Sequence, residues 1–492
     1  MTISFDSIGN DNRIPLTYIE FNNSMAVVGT PQPHQAVLVF GQAVVDGDGK
    51  VQGTGSLNTP VRISRASQGS DLWGRGSMIA LMLAEFIAIN PDTELYAIAQ
   101  GAGTGAAAAG TITLTGTPSD NGVLRLYIGG VRVPVAVTAS QTVADLATAL
   151  AAAINARADL PVTAAAAAGV VTLTARFTGA GSVPDLRLNY YDGETTPPGL
   201  AVAFALPDSR ADNPDITDSV ANMGERQYNY VVMPYRDATN LKVLGDELLK
   251  RWGPVKMSDG VVWMAHTGTL GDITAFGLSR NDFLSTCSAI SRAPEADYLW
   301  ATSLCATCAP SLAIDPARPL QTLALPRRMA PALADRLTRE ERNNLLYDGI
   351  ATVNVASGDV PQVERQVTMY RTNAYGDPDP SYLDIETVYT LSYLRYSLRT
   401  FITQRFPRYK LADDGTPVAP GQPIVTPEIM RTQLLALGQE WVDKGLVENL
   451  ETFKDNLIVE RNADDRNRLD VLATPDLVNQ FRIFAAQLRF IL

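Results

Sequence analysis

The pattern of apolar and polar positions changes period several times along this chain. Residues 36–40 read AVLVF, a continuous apolar run that predicts a strand covered on both faces. Residues 77–89 are apolar nearly all round and stop before Asn90-Pro91, which predicts a buried helix. Residues 95–99 predict the next strand. The same unit returns later. Residues 230–233 predict a strand, and Leu241, Leu244, Leu248 and Trp252 then recur at helical spacing before Gly253-Pro254, the signature of an amphipathic helix and its stop. Residues 261–265 predict the strand that follows. Two strand–helix–strand units imply a mostly parallel sheet with right-handed crossovers.

Between these halves, residues 101–203 have another character. The TITLTGT stretch at 111–117 alternates, and 124–128 and 131–137 flank Gly129-Gly130, a two-residue hairpin signal. Thr142, with Asp145 three residues on, can start a helix whose apolar face is Val143, Leu146, Leu150 and Ile154. Residues 170–175, 186–190 and 201–204 predict further strands. This stretch reads as a β-rich domain inserted into a loop of the α/β domain.

From about Pro326 the pattern is α+β. Residues 350–355 and 363–370 predict a hairpin across Ser357-Gly358-Asp359, and a long helix is expected from after Asp379-Pro380-Ser381 to about Phe406. Thr426 as N-cap with Pro427 at the first helical position opens another helix, expected to stop near Lys444-Gly445. Both ends alternate. Ile14, Leu16 and Tyr18 interleave with Pro15, Thr17 and Ile19, a segment whose proline suits an edge strand. Phe484, Ala486, Leu488, Phe490 and Leu492 interleave with Ala485, Gln487, Arg489 and Ile491, so a terminal strand is expected.

Composition narrows the function classes. The 492 residues fit about two to four domains. A formal charge of −12 argues against a nucleic-acid binder. Of the basic residues, 33 are Arg and 7 are Lys, a bias that suits planar, partly buried pairing at protein contacts, although a GC-rich genome produces the same bias. Three cysteines cannot frame so long a chain, which fits a reducing compartment. Residues 1–10 have no signal-peptide pattern. The most apolar stretch, 78–89, is broken by Glu85 and too short to span a bilayer.

Each chemical motif has a plainer reading. Gly101-Ala102-Gly103-Thr104-Gly105-Ala106 fits a dinucleotide fingerprint, but leaves no room for the helix whose N-terminus must meet the phosphate, so it reads as a flexible linker. Asp46-Gly47-Asp48-Gly49-Lys50 resembles the start of a calcium loop, with Lys50 where an oxygen ligand is needed; a solvated turn is expected. Cys305 and Cys308 have redox spacing but no second pair, and read as buried thiols. Asp237 and His266 follow predicted strands and, with Ser288 or Ser291, would run in the order of a serine hydrolase triad; no G-x-S-x-G accompanies them. Arg395, Arg399, Arg405, Arg408 and Lys410 form a basic run, either a solvated face or a patch for an acidic protein.

Several segments resemble one family. Trp73-Gly74-Arg75-Gly76-Ser77-Met78, Pro234-Tyr235-Arg236-Asp237, Arg251-Trp252-Gly253-Pro254, Asp315-Pro316-Ala317-Arg318-Pro319-Leu320, Glu341-Arg342-Asn343-Asn344-Leu345-Leu346, Ser381-Tyr382-Leu383-Asp384 and the ending over 476–492 resemble tail sheath proteins of contractile-tailed bacteriophages, the Mu-like group. The likeness spans essentially the whole chain and is weakest across the insert.

The resemblance implies a subtilisin-like, doubly wound α/β domain without proteolytic activity over 23–100 and 204–325, and an outward-facing insert over 101–203. It also implies a tube-facing α+β domain over 326–475, an N-terminal arm over 1–22 and a C-terminal strand arm over 476–492. The arms, with Ile14, Leu16, Tyr18, Phe484, Leu488, Phe490 and Leu492, would add strands to neighbouring copies and knit hexameric rings into a helical sleeve. The sleeve would contract and drive a tube through a host envelope. The implied partners are other copies, the tail tube protein and the baseplate and tail terminator proteins, and the implied place is a virion tail assembled in a bacterial cytoplasm. No cofactor, metal or catalytic residue is implied. A serine hydrolase and a host-surface binding module carried by the insert are the competing readings.

Overall fold

The computed structural model describes residues 17, 30–206, 212–417, 419 and 421–491. The chain divides into two compact units, one of residues 1–33 with 394–478 and a larger one of residues 34–393 with 479–492.

The larger unit is organised by an eight-stranded sheet. From edge to edge its strands are Val360–Arg365, Ala351–Ala356, Ser285–Ala289, Val261–His266, Tyr230–Val232, Ala36–Gln42, Glu94–Gln100 and Val61–Ile63. The inner strands run parallel, and both edge strands are antiparallel. The two strand–helix–strand halves meet where Val37, Leu38 and Val39 pair with Tyr230, Val231 and Val232. Every residue of Ala36–Gln42 is buried, because helices cover the sheet on both sides of the pleat.

Ser77 caps the helix Met78–Ile89 by accepting from the Ala80 amide. That helix packs on Asp297–Ile314 and on the sheet. Asp237 caps Ala238–Trp252 in the same way, and Leu241, Leu244 and Leu248 enter the main core.

The expected hairpin exists with a shifted second strand. Ala351–Ala356 pairs with Val360–Arg365 across a turn in which Gly358 and Asp359 have φ of +82° and +59°. Pro361 is accommodated on this edge strand because the segment along its outer side asks only for its carbonyl, which accepts from the Leu325 amide at 2.8 Å. After Arg365 the chain leaves the ladder, so the strand expected over 363–370 ends there.

Residues 109–205 form two further antiparallel sheets. One has the order Leu200–Ala205, Ala109–Gly116, Val170–Ala175, Val162–Ala167; the other Val131–Val137, Gly122–Ile128, Leu186–Leu188. The Thr142-capped helix Val143–Asn155 supplies Leu146, Leu150 and Ile154 to a core that is separate from the main one. The strand expected over 186–190 stops at Leu188, because Asn189 turns with φ +52°.

Gly101 to Gly105 do not behave as a loose linker at Gly103. A Cβ there would lie 1.9 Å from the Asp212 carbonyl oxygen. The Asp212 amide donates to the Thr104 carbonyl at 3.1 Å, so the chain at Thr104 and at Asp212 is in contact.

In the smaller unit Thr426 caps Pro427–Asp443, and Gly445 ends the helix with φ +69°. Trp441 stacks edge-on with Phe453 at 6.0 Å and donates to the Ser397 hydroxyl at 2.8 Å. Short strand pairs join Val447–Glu448 to Asp476–Leu477 and Ile458–Arg461 to Leu469–Leu472. The helix Ile385–Arg405 gives its first half to the larger unit and its second half to the smaller.

Residues 479–491 form no strand within their own chain. Ile14, Leu16, Tyr18 and Leu492 lie outside the described residues.

Candidate functional site

The residues that would build a hydrolase are each engaged elsewhere. Asp237 accepts at one oxygen from the Asn240 amide and at the other from the side chains of Asn213 and Asn240, all at 2.9 Å. Ser288 is fully buried and exchanges hydrogen bonds with Gln366. Ser291 donates to the Asp335 carbonyl. His266 is pushed down to about 4, first by burial and then by the Arg236 charge, and its Nδ1 has no hydrogen-bond partner among the described residues. A triad needs base, orienter and nucleophile bonded in series; these four side chains are not.

The other motifs resolve as structure. Cys305 and Cys308 are buried in the helix Asp297–Ile314, and burial raises both thiols, the reverse of a reactive pair. Burial pushes the Cys287 thiol up to about 12. Asp46 Oδ1 accepts from the amides of Asp48 and Lys50 at 3.1 and 2.9 Å, an Asx turn. The glycine run leads into the strand Ala109–Gly116 rather than a helix. Among the described residues no three His, Cys, Asp or Glu side chains cluster closely enough to hold a metal, and no helix is long and apolar enough to cross a membrane.

Part of the arginine bias is used inside the chain. Arg328 bridges Glu85 at 2.9 Å and Glu295 at 3.2 Å, with all three side chains nearly buried. Arg251 donates to Glu247 and to the carbonyls of Arg226 and Gly224. Arg236 pairs with Asp297 and donates to the Ala265 carbonyl. A guanidinium can satisfy several acceptors at once from one buried position.

Of the site residues expected from the sequence, those that are exposed among the described residues lie on the smaller unit and on the tail. Arg399, Arg405, Arg408 and Lys410 are exposed and Arg395 is half-buried. Arg395 and Arg399 are one turn apart on the helix Ile385–Arg405. Arg405 lies 4.3 Å over the Phe401 ring and donates to Gln433 at 3.1 Å, so it is held locally. On the tail, Phe484, Leu488 and Phe490 are 79%, 93% and 82% exposed. Three large apolar side chains so exposed within eight residues are unusual for a lone subunit.

Comparison with known proteins converges on one description. Residues 103–201 match the phage tail sheath protein beta-sandwich domain, 209–369 the phage tail sheath protein central domain, and 377–491 the phage tail sheath C-terminal domain. The chain is similar to the Mu-like prophage FluMu tail sheath protein of Haemophilus influenzae, with 45% identity and all of both chains covered. Among solved structures it is similar to the sheath tail protein of Desulfitobacterium hafniense, with 13% identity and a TM-score of 0.47 over 94% of this chain and all of the other. It is also similar to a chain of the anti-feeding prophage baseplate, with 9% identity and a TM-score of 0.47 over 98% of this chain and all of the other.

Proposed function

The chain belongs to the phage tail sheath proteins, and from that premise we propose that it polymerises as stacked hexameric rings around a tail tube and contracts to drive the tube through a host envelope. It is a structural protein of the phage tail, not an enzyme. In this reading the sheet of the larger unit is a subtilisin-like body without catalytic function, and residues 101–203 face outward. Residues 326–475 face the tube, and baseplate and tail terminator proteins hold the two ends of the sleeve. The sleeve is a virion component assembled in the bacterial cytoplasm.

One observation carries the polymer reading: the terminal segment exposes Phe484, Leu488 and Phe490 and has no strand partner among the described residues. An unpaired apolar strand is relieved by adding to a sheet of another copy. Burying four side chains (these three and Leu492) contributes about 6–12 kcal/mol before ordering costs. That is enough to decide assembly. A heterologous contact repeated without closure generates a helix, and contraction needs two packings of such contacts with a modest difference per subunit.

The test is electron microscopy of the full chain and of a variant lacking residues 484–492. Long sleeves from the full chain and folded, dispersed subunits from the truncated one are expected. Sleeves from the truncated chain would remove the tail as connector, and unfolded aggregates would assign it to the subunit's own core.

A further inference from the structure

We infer that Arg482 pins the root of the C-terminal tail to its own subunit, so that the segment available to another copy begins at Ile483. The inference rests on the reading that the tail is donated to a second copy of this chain. Its structural basis lies wholly within the larger unit.

Arg482 is the last described tail residue whose side chain is largely covered, 11% exposed, and its Nη2 lies 3.0 Å from both Asp384 Oδ1 and Glu386 Oε2. Glu386 is fully buried in the first turn of the helix Ile385–Arg405. Its other oxygen accepts from the Leu320 amide at 3.1 Å. Burial raises the Glu386 carboxyl, and Arg482 is the main opposing influence. Asp384 is held in turn by a two-pronged bond from Arg365, at 2.9 and 3.0 Å, and Arg365 ends the edge strand of the large sheet. One residue earlier, the Phe481 carbonyl accepts from Gln321 at 3.4 Å.

The change at this point is abrupt. Ile483 is 82% exposed, and Phe484, Leu488, Phe490 and Ile491 are no less than 79% exposed. Withdrawing Arg482 would leave Glu386 charged and enclosed beside Asp384, which is costly whatever the pair itself contributes. The Arg482 nitrogens make no aligned hydrogen bond to these carboxylates, so the hold is charge attraction in a dry setting, strong at contact and without directional preference. A pull on the tail would therefore be passed to the edge strand and to the start of one helix. At about 3.3–3.6 Å per residue, the ten residues from Ile483 reach at most roughly 36 Å.

Trypsin reads this directly, because cleavage requires the arginine side chain to leave its partners. In dispersed full-length subunits, cleavage after the exposed Arg489 should be about tenfold or more faster than after Arg482, followed by mass spectrometry of the truncated chain. The Asp384→Asn/Glu386→Gln double variant should accelerate the Arg482 cut about tenfold and leave the Arg489 cut unchanged. Equal initial rates at the two arginines in the unmodified chain would overturn the inference without recourse to any variant. In assembled sleeves Arg489 should become protected as well. If it stays as accessible there as in subunits, tail donation fails, while the Arg482-to-Arg489 ratio in subunits still decides the anchor.

Discussion

Gln42 and Thr178, 136 residues apart, hold each other as neighbouring strands would: the Gln42 amide donates to the Thr178 carbonyl at 2.8 Å, and its oxygen accepts from the Thr178 backbone amide at 3.1 Å. Both residues are buried. Gln42 ends the central strand Ala36–Gln42, so one side chain extends the main sheet's bonding to a segment far along the chain. Replacing it by Leu leaves a buried N–H and a buried carbonyl unpaired. Each such orphan costs about 1–3 kcal/mol, and Gln42→Leu is expected to lower the unfolding free energy of dispersed subunits by about 2–4 kcal/mol. The check is urea unfolding followed by tryptophan fluorescence, since Trp73 and Trp263 lie in the core concerned.

Phe177 shows the same return of the chain by packing. It is 3% exposed, belongs to the main core, and meets Tyr298 edge-on at 6.2 Å. Phe177→Ala should cost about 3–5 kcal/mol, read in the stability of the large sheet rather than of the two smaller ones. Replacing residues 104–202 by a short linker removes Phe177 and Thr178 together, so loss of the body's cooperative transition is expected. A shortened chain as stable as the parent, by circular dichroism melting, would show that the main core closes without them.

These contacts mark the boundary of what the sequence makes legible. The run at 36–40, the amphipathic spacing from Leu241 to Trp252, and the caps at Thr142 and Thr426 are local signals, and the elements form where those signals lie. Residues 177–182 carry no periodicity, and Phe177 and Thr178 are buried against Tyr298 and Gln42, over a hundred positions away. Gly103 reads as a flexible glycine, yet is required by the approach of Asp212. The tail's alternation predicts a strand, but pairing needs a partner that no local pattern supplies. No local pattern marks Arg482, and only the fold brings Asp384 and Glu386 to it.

Arg236 and Asp297 form a largely buried pair, with the Ala265 carbonyl as a second acceptor. Breaking such a pair from one side leaves the other charge enclosed. Arg236→Met should destabilise by about 2–3 kcal/mol, and the Arg236→Met/Asp297→Leu double variant should recover most of it. A double-mutant cycle by denaturant unfolding measures the coupling.

His266 makes stability depend on pH. Its folded value of about 4 lies below the ordinary 6.5, chiefly through burial. Between those values the unfolded chain binds a proton that the folded chain does not, so stability falls as pH drops from 6.5 to 4 and this contribution then levels off. The loss amounts to about 2–3 kcal/mol after allowing for partial exposure. His266→Gln should flatten the pH dependence in that window when dispersed subunits are melted at intervals from pH 7 to pH 4.

The basic residues of the smaller unit give the last prediction, and it concerns the tube. The chain is acidic overall at −12, so a surface of positive charge on it stands out and favours an acidic partner surface. Arg405 is held by Phe401 and Gln433; Arg395 and Arg399, one turn apart on one helix, are the pair chosen to probe an outward role. Exposed charges a Debye length apart, about 10 Å at 0.1 M salt, are screened as ionic strength rises. The Arg395→Glu/Arg399→Glu variant should therefore bind assembled tail tube more weakly at low salt, with a flatter dependence on salt than the parent, in a co-sedimentation assay. Equal binding of both proteins at low salt would assign these arginines to a solvated helix face and leave tube recognition to other residues of the unit.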